Sequence, residues 1–129
     1  MVKFVCNKLG RDKGLEGFKA EGITPQYKIL RDQELCEALL RKLIEESNEV
    51  CGADGREALT AELADLLEVI DGLCKAYGIS FQEITRIKEK KRQERGGFET
   101  GLYIETIEMD ESNPKVKHFR ASPDKYQEI

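Results

Sequence analysis

Histidine is nearly absent from this sequence, and its single copy, His118, lies close to the C-terminal end. Zinc and iron centres recruit histidine or cysteine. The four cysteines, Cys6, Cys36, Cys51 and Cys74, are scattered and never approach a Cys-x-x-Cys spacing. A zinc site is therefore disfavoured, and so is a ferritin-like di-iron bundle, which needs Glu-x-x-His on its helices. Cys36, Cys51 and Cys74 fall at apolar helical positions, which predicts buried reduced thiols rather than a disulfide framework. Long apolar runs are missing too, so nothing in the chain is expected to cross a bilayer. The opening, Met1 to Lys8, turns charged before a signal-peptide core can form, and a cytoplasmic protein is expected. Charge of one sign is not in great excess: a formal net charge of -4 makes nucleic acid a poor default partner. There is no internal repeat and no low-complexity tract.

What the chain does have is charge and apolar residues in helical rhythm. At 129 residues, with 36% charged and 40% apolar, it fits one helix-rich domain. Residues 1–31 carry several glycines and Pro25 and read as an irregular entry, with short strand-like pieces at 2–5 and 26–30. Asp32 is placed to N-cap a helix reaching about Cys51. Ala53-Asp54-Gly55 is a turn. A second helix runs from about Arg56 to Tyr77 and stops at Gly78. Ser80 and Glu83 form a capping box for a third helix, ending at Arg95 before Gly96-Gly97. A short extended segment follows around Leu102 to Ile107. Residues 1–110 are taken as the folded domain and 111–129 as a polar tail. The expected fold class is all-α, a bundle of three main helices with short extended flanks. Leu40, Ile44 and Cys51 on the first helix, and Leu63, Leu67 and Cys74 on the second, widen apolar faces beyond what one chain covers. That excess predicts a homo-oligomer, a dimer or a dimer of dimers.

Two acidic segments interrupt those apolar faces. Glu45-Glu46-Ser47-Asn48-Glu49 and Glu62-Leu63-Ala64-Asp65 each set two carboxylates at i, i+3, on one side of a helix. Glu46 falls within the stripe of Leu35, Leu39, Leu43 and Val50. Glu62 falls within that of Leu59, Leu66, Val69, Ile70 and Leu73. An inward carboxylate must protonate, pair or hold a cation. Glu46, Glu49, Glu62 and Asp65 together are an all-oxygen set suited to Mg2+ or Mn2+, and Mg2+ is commonly shared with substrate phosphates. The alternative is a solvated acidic face, which suits Glu68 and Asp71 better than these four. On the third helix Lys91 and Arg95 continue the stripe of Phe81, Ile84 and Ile87, as cations for a phosphate chain would. A basic helix C-terminus complementing the macrodipole explains them equally well in isolation. The basic cluster Asn7-Lys8-Leu9-Gly10-Arg11-Asp12-Lys13 reads by default as solvated loop charge.

The acidic segments resemble the EExxE…ExxD signature of the all-α nucleoside triphosphate pyrophosphohydrolases. That superfamily includes MazG-like, dimeric dUTPase-like and phosphoribosyl-ATP pyrophosphohydrolase proteins. Lys91-Arg92-Gln93-Glu94-Arg95-Gly96-Gly97-Phe98 is similar to the basic element of MazG-like members. Asn7 to Lys13 resembles the NKLVRDK opening of a small phosphoribosyl-ATP pyrophosphohydrolase-like subgroup, with Gly10 where an aliphatic residue is usual. The resemblance spans roughly residues 5–107. It implies that Glu46, Glu49, Glu62 and Asp65 hold magnesium and that Lys91 and Arg95 face phosphate. It also implies cleavage between the α- and β-phosphates, giving a nucleoside monophosphate and pyrophosphate.

The expected function is Mg2+-dependent pyrophosphohydrolysis of nucleoside triphosphates, in nucleotide house-cleaning. Water attacks phosphorus, with Glu45 or Glu46 accepting its proton. Hydrolysis of phosphoribosyl-ATP in histidine biosynthesis is the alternative by the same chemistry. A non-catalytic helical module that binds nucleotide or cation is the alternative of another class.

Overall fold

Apolar residues recur at helical spacing from Leu35 to Val50 and from Leu59 to Leu73, and both stretches are helical in the computed structural model, which describes residues 1–129. The architecture is all-α, with five helices and no strand: α1 (Gly14–Ala20), α2 (Asp32–Gly52), α3 (Arg56–Tyr77), α4 (Phe81–Arg95) and α5 (Val116–Arg120). The chain forms two compact units, Met1–Glu94 and Arg95–Ile129.

In the first unit α2 and α3 form the principal packed pair. Only three residues, Ala53 to Gly55, separate them, and so short a connection makes neighbouring helices antiparallel. The seam is narrow. Ala38, Leu39, Val69 and Cys74 are its buried apolar residues, and Glu46 is buried with them. Gly72 sets the closeness of the two helices, because a Cβ there would stand 3.1 Å from Leu39 Cδ2. α3 ends in a Schellman arrangement: Ile79 N–H donates to the Cys74 carbonyl at 2.8 Å and Gly78 N–H to that of Lys75 at 3.4 Å. Gly78 takes φ +66 there, a conformation that costs glycine nothing. α4 begins as the capping pattern requires, with Glu83 N–H donating to Ser80 Oγ at 3.1 Å.

Several local expectations are corrected. Asp32 does not N-cap α2: the cap position is Arg31, with no side-chain bond, and Asp32 is the first residue of α2, with a left-handed φ of +51. The strands expected at 2–5 and 26–30 do not form. A strand must pair its backbone groups with a neighbour, and the elements around these segments are helices. α1 was hidden by two glycines in its seven residues, which depress helix propensity. Cys51 is exposed, although Cys74 is buried and Cys36 half-buried; all four thiols are free.

The second unit is held by polar and aromatic contacts. The Arg120 guanidinium donates to both Glu111 oxygens, at 2.7 and 3.1 Å, and to both Glu128 oxygens, at 2.9 and 2.6 Å. The Phe119 and Tyr126 rings meet edge to face with centroids 4.8 Å apart. No helix of the chain is long and apolar enough to cross a membrane.

Candidate functional site

In an antiparallel hairpin, residues equidistant from the turn stand side by side. Glu46 lies eight residues before Asp54 and Glu62 eight after it. The same rule pairs Leu39 with Val69, the two apolar residues at the heart of the seam. Turn position and helical phase together therefore bring the acids to one level. Glu46, Glu62 and Asp65 each offer a carboxylate oxygen, and these oxygens lie within 4.8 Å of one another. Glu46 is buried and the other two half-buried. Glu49 is exposed on the edge of this group. Its charge still reaches Glu62, but it places no oxygen within the triad.

The electrostatics are those of crowded like charges. The Glu62 carboxyl is pushed above its ordinary value, first by lost hydration and then by the charges of Asp65, Glu49 and Glu46. No basic side chain forms an ion pair with Glu62. Its two neighbours are partly offset by cations of the chain: Lys42 Nζ is 3.4 Å from Glu46 Oε1, and Arg11 Nη2 is 2.7 Å from Asp65 Oδ1. A set of three carboxylates from two helices, one buried and one unpaired, fits a hard divalent cation with oxygen preference.

Glu45 is not a member of this group. Its Oε1 lies 3.2 Å from Lys42 Nζ and 3.3 Å from Lys8 Nζ. Partial burial pushes the Glu45 carboxyl up, but hydrogen bonds from Lys42 and Lys8 outweigh it, so its pKa falls below the usual value. Ser47, inside the acidic segment, donates its hydroxyl back to the Leu43 carbonyl at 2.7 Å and is spent on its own helix. Lys91 is exposed on α4 and lines neither cavity beside the acids. Arg95 closes α4 and opens the second compact unit.

A family model described as phosphoribosyl-ATP pyrophosphohydrolase matches residues 21–92. The chain belongs to this family. It is part of the all-α MazG-like superfamily of nucleotide pyrophosphohydrolases, hydrolases that act on a phosphoric anhydride. No curated protein and no solved structure matches the chain significantly. The matched span contains α2, α3, both acidic pairs and Lys91; Lys8, Arg11 and Arg95 lie outside it.

Sequence reasoning missed Lys42 and undervalued Lys8 and Arg11. Lys42 was legible, since it precedes Glu45 and Glu46 by one helical turn, where opposite charges meet. Lys8 and Arg11 reach the acids only through the path of an irregular segment, which no periodicity encodes.

Proposed function

We propose that this family member is an Mg2+-dependent pyrophosphohydrolase that converts nucleoside triphosphates to monophosphate and pyrophosphate. The convergence of Glu46, Glu62 and Asp65 within 4.8 Å is the observation that supports this most. These three would hold Mg2+ (Mn2+ by the same chemistry), with Glu49 as a fourth acid at the edge. A divalent cation there supplies charge neutralisation for the phosphate chain and acidifies the attacking water. Glu46 and Glu45 are the proposed proton acceptors. The ammonium group of Lys42, 3.2 Å from Glu45 Oε1, keeps Glu45 ionised for that purpose. Lys91 and Arg95 are assigned to the departing pyrophosphate, whose charge a guanidinium and an ammonium stabilise. The activity is assigned to residues 1–110, with 111–129 as an appendage, in a cytoplasmic homodimer or dimer of dimers. Removal of unwanted nucleotides is the role such chemistry serves.

One observation favours a second reading. The family matched carries the description phosphoribosyl-ATP pyrophosphohydrolase, which supports that substrate by the same chemistry. A panel of nucleoside triphosphates and phosphoribosyl-ATP, assayed for pyrophosphate release with Mg2+, decides between them. Turnover of several triphosphates with phosphoribosyl-ATP inert is the expected result. Exclusive use of phosphoribosyl-ATP establishes the second reading, and Mg2+-dependent binding without pyrophosphate release reduces the protein to a binding module.

A further inference from the structure

The N-terminal basic segment is the one sequence motif to which the proposed chemistry gives no part, and it lies outside the family match. Residues 1–13 contain no helix or strand, yet the segment is fixed at three points. Half-buried Leu9 lines both cavities beside the acids. Lys8 reaches Glu45 on α2, and Arg11 reaches Asp65 on α3. The segment thus spans the seam at the level of the acid triad.

The balance of charge changes across it. The cavity on the triad side, about 180 Å³, sets Glu46, Asp65 and Glu68 against Arg11 and Lys42. The neighbouring cavity, about 330 Å³, is lined by Lys8, Arg41 and Lys42 against the single carboxylate of Glu45. Arg41 forms no ion pair with any acid of the chain. A basic recess beside an acid cluster matches a ligand that carries a bound cation at one point and uncompensated negative charge further along. A polyphosphate with its metal is such a ligand.

We propose that this basic cavity takes a phosphoryl group of the substrate's polyphosphate and that Asn7 to Leu9 forms its outer wall, with Lys8 and Arg41 as phosphate ligands. This rests on the reading of the triad as a cation site. Lys8 exchanges Glu45 for a phosphate oxygen. Arg11 exchanges as well, because a cation held by Asp65 competes with the guanidinium for the same carboxylate. A guanidinium released there has phosphate oxygens as its best remaining acceptors.

The test is calorimetric titration of the full chain with Mg2+ alone, and with inorganic triphosphate in Mg2+. Variants are Lys8→Gln, Arg41→Gln and Arg11→Gln, with Lys19→Gln as an exposed control on α1. Loss of one charge-assisted contact is expected to weaken triphosphate binding about tenfold in Lys8→Gln and in Arg41→Gln. Lys19→Gln should bind as wild type. Mg2+ affinity should be unchanged in Lys8→Gln and Arg41→Gln and should tighten in Arg11→Gln, which frees Asp65. Wild-type affinity for triphosphate in both cavity variants overturns the proposal, as does an equal loss in the Lys19 control. Both results leave the triad reading intact if Mg2+ still binds. Wild-type protein that binds Mg2+ but no triphosphate also overturns it. Absence of any Mg2+ binding removes the cation site itself, and this proposal with it.

Discussion

Lys42 Nζ stands 3.4 Å from Glu46 Oε1, one helical turn along α2, and it is the basic side chain paired with the one buried carboxylate of the chain. A buried charge that loses its partner costs more than the pair contributed. Lys42→Met keeps the aliphatic stem and removes the ammonium. It should destabilise the metal-free protein by about 1–3 kcal/mol. In saturating Mg2+ the loss should shrink, because a cation on Glu46 takes over the neutralisation. Urea denaturation in chelator and in Mg2+ measures both quantities. Equal losses in the two conditions would separate Glu46 from any cation site.

Glu62 gives a pH signature. Its carboxyl titrates above the ordinary value of 4.5 in the folded chain, through lost hydration and the charges of Asp65, Glu49 and Glu46. A carboxyl with a raised folded pKa binds its proton more tightly when folded. Its contribution to stability is therefore full below 4.5 and is lost as pH rises through the raised value. In chelator, the melting temperature should carry a declining component just above that pH, and Glu62→Gln should remove it. Saturating Mg2+ should reverse the trend, since the cation binds the ionised triad and only the folded state presents it. Melting curves against pH with and without Mg2+ provide the check. Identical curves would count against cation binding.

The placement of Glu49 separates it from Glu62 in function. Glu62→Gln keeps the shape of a triad member and removes its charge, and it should abolish measurable turnover in a protein that remains folded. Glu49 is exposed and contributes no oxygen within the triad. Glu49→Gln should act as loss of an outer partner does, reducing Mg2+ affinity or activity about 10–100-fold. Steady-state assays across a Mg2+ series distinguish the two, because excess Mg2+ should restore Glu49→Gln far more than Glu62→Gln. Near-normal turnover for both variants would take these acids out of the mechanism.

The helices and the acid triad were legible because both are written in local periods. Apolar residues at helical spacing mark α2 and α3, Gly78 marks the end of α3, and Glu46 and Glu62 are conspicuous as charges within apolar stripes. Their convergence follows from equal distances to Asp54 once the hairpin is accepted. The rest depended on contacts without a period. Whether Glu49 or Arg11 sits nearer Asp65 is decided by side-chain reach and by the path of residues 7–11. α1 and the α5 unit were missed for different reasons. Two glycines mask α1, whereas α5 is tied to its unit by Arg120 held between Glu111 and Glu128, a pairing across nine and eight residues, and by the Phe119–Tyr126 ring contact. Local propensity does not report such pairings.

The apolar surface left by one chain makes the last prediction. Ile44 is 63% exposed and Leu40 44% on α2; on α3 Leu67 is 57% and Leu63 43%. Each pair is spaced i, i+4, so each forms a ridge along its helix rather than a scatter of single side chains. Burying one such side chain contributes about 1.5–3 kcal/mol, and the seam of one chain buries few residues fully. A two-fold dimer that joins these ridges into a shared bundle covers them by repeating one contact twice. Ile44→Asp or Leu67→Asp should then dissociate the assembly, and activity should fall with it if the site borrows side chains from the partner. Both residues are exposed in the single chain, so a monomer that stays helical by circular dichroism is the expected product. Light scattering at micromolar concentration, run beside the pyrophosphate assay, reads mass and activity together. A wild-type chain that is monomeric and fully active would sink the dimer and require the site to be complete within one chain.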